Sequence, residues 1–224
     1  MCGSISRRHL CVLAGSAIAM LPIASFAQDN QAIRSLHGKL NLDAFKNGQK
    51  TRLASEASDT VFIIGEDAFL ADADFSADIT ADETGTLSEI QLLSGQLLAA
   101  LKPRSNRQTA LKLPNATASI RGTGFYVNAD IAEAQDYICC CYGHIVFDDA
   151  TDGSKQEFNT SYHNARIITA QGNFADAPYN APYGHYDDQL VGLEKLVGRS
   201  PHWQLPDDKM HFLSPKPLPP ALRP

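Results

Sequence analysis

Thr117-Ala118-Ser119-Ile120-Arg121-Gly122-Thr123-Gly124-Phe125-Tyr126-Val127 sets β-branched and aromatic residues on both sides of two glycines. Such residues suit a pleated, half-buried surface. Glycines inside the run mark a backbone path or a close approach that a Cβ would forbid. The block reads as strand, tight corner, strand, with Arg121 able to bond carbonyls or a carboxylate left open at the corner. Outward from it the same grammar repeats. Thr60-Val61-Phe62-Ile63-Ile64 stops at Gly65-Glu66-Asp67, and Glu89 to Leu93 turns at Ser94-Gly95 before Gln96 to Ala100. Tyr137 to Tyr142 and His144 to Phe147 flank Gly143, which reads as a hairpin corner. Strands at intervals of about ten residues predict a mainly β protein, an antiparallel sandwich or β-roll of short strands over 33–148.

Beyond Asp148 the pattern changes. Leu190, Leu193, Leu196 and Val197 share one helical face, so the spacing predicts a short C-terminal helix over 187–197. Asp187 is its expected N-cap and Gly198 its stop, with Arg199 at the negative end. The extension therefore covers 149–200. The segment 201–224 carries seven prolines and reads as a tail that lies along the domain or stays disordered.

The first 27 residues read as an export signal. Arg7-Arg8 supplies a positive start, Cys11 to Ile23 a short apolar run, and Ser25-Phe26-Ala27 the small residues of a cleavage site. The run is shorter than the roughly 20 residues of a membrane span. The paired arginines point to the twin-arginine route, with the general secretory route as the alternative, and cleavage near Ala27 yields a periplasmic or extracytoplasmic chain. The mature charge is then 17 Lys+Arg (19 less Arg7 and Arg8) against 25 Asp+Glu, a net of −8. With no basic stripe, neither nucleic acid nor an anionic membrane is an expected partner. No transmembrane segment is expected in the mature chain.

Residues 116–127 resemble the ATA-x-I/V-RGT-x-F-x-V core of FecR-like domains, with Arg121, Gly122, Thr123 and Gly124 as the matching structural motif. Gly48 to Thr51, Phe62 to Leu70 and Leu92 to Leu97 follow the same order, so the likeness spans roughly Gly38 to Asp148. Ala71-Asp72-Ala73-Asp74 departs from it. The best-known members are membrane regulators that relay an iron–siderophore signal to a sigma factor. That role uses a cytoplasmic segment and a membrane helix, and it is not expected here. Past the domain, Cys139-Cys140-Cys141-Tyr142-Gly143, His163 and His185 through Arg199 resemble an exported stand-alone subset with C-x-C-Y-G and histidine motifs. A single histidine at 163 stands where that subset has a pair.

On a strand, Cys139 and Cys141 share a face and Cys140 points the other way. Their Cα atoms lie at the outer limit for a disulfide, about 6.5–7 Å. Two thiolates on one face, joined by His163 and His185, would make a Cys2His2 set for zinc, with copper or iron as alternatives. Buried or redox-active thiols, a strained disulfide through Cys140, or an intermolecular bond are the competing outcomes. His144 is a reserve ligand, whereas His37, His202 and His211 read as surface or satisfied histidines. No nucleophile elbow, H-E-x-x-H, P-loop or dinucleotide fingerprint is present, so no catalytic residue is nominated. The sequence thus predicts a non-enzymatic extracytoplasmic binding or sensory module with an envelope protein as partner. A periplasmic metal- or redox-handling protein is the alternative.

Overall fold

The alternation read in the sequence does produce strands, and all of them join one sheet. The computed structural model describes residues 32–132, 134–148, 154–177, 182–205 and 207–223. The export-signal segment lies outside them. The described residues form thirteen strands: β1 (Ile33–His37), β2 (Leu40–Leu42), β3 (Lys50–Ser55), β4 (Thr60–Ile64), β5 (Asp67–Ala71), β6 (Ser76–Ala81), β7 (Leu87–Ala100), β8 (Thr109–Lys112), β9 (Thr117–Ala132), β10 (Gln135–Asp148), β11 (Lys155–Thr160), β12 (Asn164–Ile168) and β13 (Phe174–Asp176). The protein is mainly β, as expected, and the sheet does not close into a barrel. Pairings are antiparallel except β7 with β8.

Three strands of 14 to 16 residues form the frame, each changing neighbours along its length. The first half of β7 pairs with β6 and β8, its second half with β5 and β9. β10 lies along β9 throughout, with β12 on its first half and β11 on its second. The chain past Asp148 therefore adds strands β11 to β13 to the same sheet, and Gln31–Pro224 is one compact unit. The boundary expected at Asp148 does not mark an edge of the sheet.

β9 and β10 correct two local readings. Gly122 and Gly143 sit inside continuous strands rather than at corners, with φ of +54° and +97°. They mark bulges: the β9–β10 register slips between Cys140 and Tyr142 and again between Tyr142 and His144. Thr123 closes the gap, its hydroxyl donating to the His144 carbonyl and accepting from the His144 N–H, both at 3.1 Å. A Cβ on Gly122 would overlap Pro103, and one on Gly124 would overlap the ring of Tyr142. Arg121 is exposed and donates to the Gln108 side-chain oxygen, not to a carboxylate. The two glycines of the motif let Pro103 and the Tyr142 ring approach the strand closely.

Alternation divides the core between the two faces. Phe62, Phe69, Phe125, Ile138, Cys140 and Phe147 belong to one cluster. Val61, Ile63, Tyr126, Cys139, Cys141 and Tyr142 belong to the other, which is covered by helix α1 (Asp187–Leu196) and the C-terminal tail. The bulge explains why Cys141 and Tyr142, though consecutive, join the same cluster. Leu190 and Leu193 are fully buried there, each contributing about 1.5–3 kcal/mol of burial.

The helix ends as its glycine foretells: Gly198 N–H bonds Lys195 C=O and Arg199 N–H bonds Glu194 C=O, a Schellman closure. Its start differs from expectation. Tyr186 occupies the cap position, and Asp187 is the first helical residue, buried and aimed away from the helix. Arg199 then fastens the helix to the sheet. Its Nε lies 2.5 Å from Glu194 Oε2, and it donates to the carbonyls of Glu66 and Ala100 at 2.7 and 2.9 Å. Glu194 also accepts from the Tyr142 hydroxyl. The tail is not loose: Leu222 is buried, packed where Gly192 leaves no side chain. No helix among the described residues is long and apolar enough to cross a membrane.

Candidate metal centre

Strand pleating sends the side chains of Cys139 and Cys141 toward the helix side of the sheet, while Cys140 enters the opposite cluster. His163 reaches the same point from the corner before β12, where its N–H donates to the Cys141 carbonyl at 2.9 Å. Its φ of +26° is unusual for a residue with a Cβ. His185 arrives from the entry to α1 and is 1% exposed. One donor atom from each of the four lies within 4.8 Å of all the others. Cys139, Cys140 and Cys141 are free and buried.

The shortest recorded edge matches that of a small tetrahedron. Zinc–sulfur and zinc–nitrogen bonds of about 2.3 and 2.0 Å imply edges of roughly 3.3–3.8 Å. Cys139 Sγ to His163 Nδ1 is 3.4 Å. Each imidazole is also turned by a bond on its far nitrogen, the arrangement that fixes which nitrogen faces a metal. His163 Nε2 lies 2.8 Å from Asp187 Oδ1, leaving Nδ1 for the centre. His185 Nδ1 lies 2.9 Å from the Tyr183 carbonyl, leaving Nε2. Among the described residues that buried Nε2 makes no hydrogen bond of good geometry, although the ring is near enough to Cys139 to favour its thiolate. A polar atom so placed costs free energy unless something binds it.

The charges follow the geometry. Burial opposes a thiolate at Cys139, but the Cys141 thiol and the two imidazoles outweigh it and hold Cys139 well below the ordinary thiol range. Burial and the Cys139 charge push Cys141 well above that range. Burial works against His163 as a cation, yet Asp187 and Cys139 on either side push it up to about 9. The four donor atoms thus converge with a thiolate among them, and a divalent ion bound there would displace protons. Four protein donors would fill a tetrahedral shell and would leave no open position for substrate, as in structural rather than catalytic zinc sites.

The four residues nominated from the sequence are thus brought together. His144 is not among them: it lies on the far part of β10, 3.6 Å from Glu157. His211 pairs with Asp207 at 2.7 Å. Asp187 is the residue the sequence reading missed. Taken there as a helix cap, it instead bonds the His163 imidazole, and Tyr162 donates to its other oxygen at 2.8 Å. A cleft lined by Tyr162, Asn164, Ala165, Arg166 and Phe212 opens beside His163.

No family model matches the chain, and no curated protein is similar to it. Two solved structures from Parabacteroides distasonis, both assigned as anti-sigma factors, are similar in part. One shares 12% identity at a TM-score of 0.35, covering 65% of this chain and 58% of its own. The other shares 11% at 0.37, covering 80% and 83%. This chain therefore spans little more than half the length of the first. Similarity at that level carries no argument about function.

Proposed function

We propose that this chain is a non-enzymatic, extracytoplasmic binding or sensory module of FecR-like type, whose C-terminal segment is held to the sheet by a metal ion. Cys139, Cys141, His163 and His185 are the ligands and zinc is the ion. The observation that carries the metal is the unpartnered Nε2 of buried His185, facing two thiols and a second imidazole. Two imidazoles beside two thiolates favour zinc over copper(I), which prefers an all-sulfur set, and a closed tetrahedral shell suits an ion without ligand-field demands. The regulatory character rests on the likeness of residues 116–127 to the FecR-like core, and the compartment on the export signal. Complete burial of both thiols favours an ion that is kept over one that is handed on, which separates this reading from metal or redox handling as the function.

The test is elemental analysis of protein exported with its own leader. One zinc per chain is expected, lost in Cys139→Ser and in His163→Ala. A metal-free protein with three alkylatable thiols would contradict the proposal.

A further inference from the structure

We infer that the metal, through Asp187, latches the segment Asp207–Ser214 onto the domain, so that this segment is the part of the molecule that answers to metal occupancy. The inference rests on the metal reading above.

Asp207–Ser214 has no helix or strand of its own, so its backbone groups must find partners elsewhere. They find them at the start of α1. His211 and Phe212 N–H donate to Asp187 Oδ2 at 2.9 and 3.2 Å, and Ser214 N–H donates to Asp188 at 3.1 Å. The Phe212 carbonyl accepts from Asp187 N–H at 2.7 Å. The same Asp187 carboxylate bonds the ligand His163 through Oδ1. One side chain therefore joins a metal ligand to the segment. Ring contacts reinforce the link: Phe212 meets His163 edge-on, centroids 5.9 Å apart, and lies parallel to Tyr162 at 6.3 Å.

The segment's ends are fixed by other means. Before it, Arg199 is clamped to Glu194 and two sheet carbonyls. After it, Leu222 is packed against Gly192. Neither anchor touches a ligand. The middle can therefore come away while both ends stay in place. His163 makes this responsive, because its left-handed backbone is sparsely populated for a non-glycine residue. Both its ring nitrogens have partners, Nδ1 at 3.4 Å from Cys139 Sγ, where the ion would bind, and Nε2 at 2.8 Å from Asp187. Removing the ion releases one nitrogen, lets the ring and backbone relax, and pulls the shared carboxylate out of register with 211 and 212. Met210 and Leu213, already 42% and 56% exposed, move with it.

The experiment is amide hydrogen exchange on the zinc-loaded and chelator-stripped mature protein, with metal content measured on the same samples. Removal of zinc should speed exchange at His211, Phe212 and Ser214 by about tenfold or more, leaving β4, β5 and β7 protected. Bound zinc with unchanged exchange in 207–214 after its removal would overturn the latch and leave the metal reading intact. Exchange that rises equally across the sheet would overturn it too. Absence of zinc binding altogether would remove the metal reading, and the latch with it. Asp187→Ala is the second arm. It should still bind one zinc, about 10–100-fold more weakly, with 207–214 exchanging fast even when loaded. A loaded Asp187→Ala protein whose segment stays protected would refute the coupling.

Discussion

The imidazole of His185 lies flat on the ring of Tyr126, with centroids 4.5 Å apart and planes inclined by 12°. Tyr126 is itself fixed, its hydroxyl donating to Gln96 Oε1 at 2.7 Å. Gly184, at φ +76°, leaves the room this needs, because a Cβ there would overlap the Tyr126 hydroxyl. His185 is thus aimed twice, by stacking and by the Tyr183 carbonyl.

Gly184→Ala should therefore disturb the site without removing a ligand. A strained backbone plus a clash costs about 2 kcal/mol or more, and zinc affinity should fall by at least about tenfold. Competition against a colorimetric chelator reads the affinity. An unchanged value would mean that Tyr126 does not position His185.

Cys140 should be dispensable for metal. It faces the opposite cluster, and burial pushes its thiol well above the ordinary range. Cys140→Ala should keep one zinc per chain and cost no more than about 1–2 kcal/mol in denaturant unfolding. Loss of zinc in this variant would show that the strand face has been misjudged.

The Tyr142–Glu194–Arg199 cluster should behave as a buried charge pair. Arg199→Ala strands a carboxylate that is 1% exposed and should cost about 3–5 kcal/mol. Tyr142→Phe removes one hydrogen bond but leaves the pair intact, and should cost about 1–2 kcal/mol. Equal losses in the two variants, measured by denaturant unfolding, would contradict this ranking.

Asp82 should shape the acid side of the stability profile. The Thr84 hydroxyl at 2.6 Å, Arg107 at 2.9 Å and the N–H groups of Thr84 and Thr86 at 3.0 Å hold its carboxyl well below the usual range. A depressed carboxyl stabilises the fold above its unfolded value near 4, and that stability is lost as pH falls further. Asp82→Asn should lower the melting temperature slightly at pH 7 and lose less than wild type between about pH 4 and 2. Parallel profiles would show that the turn is not a source of acid sensitivity.

Residue spacing made much of this legible. The placement of Cys139 and Cys141 on one face, with Cys140 on the other, follows from pleating alone, and Gly198 announced the helix end. The Asp187 role was hidden because its partner, His163, lies 24 positions away, and an acidic residue at a helix start has a sufficient local explanation in capping. Glu194 and Tyr142 are 52 apart, beyond any local period. Gly122 and Gly143 read as corners because a left-handed glycine looks the same in sequence whether it bends the chain back or bulges a strand.

The central claim is a single ion held by two thiolates and two imidazoles, and X-ray absorption at the zinc edge tests it most directly. The expected spectrum has two sulfurs near about 2.3 Å and two imidazole nitrogens near about 2.0 Å. The sulfur shell should be halved in Cys141→Ser if any zinc remains. A shell of oxygen and nitrogen alone, or no bound metal in the exported protein, would contradict the account.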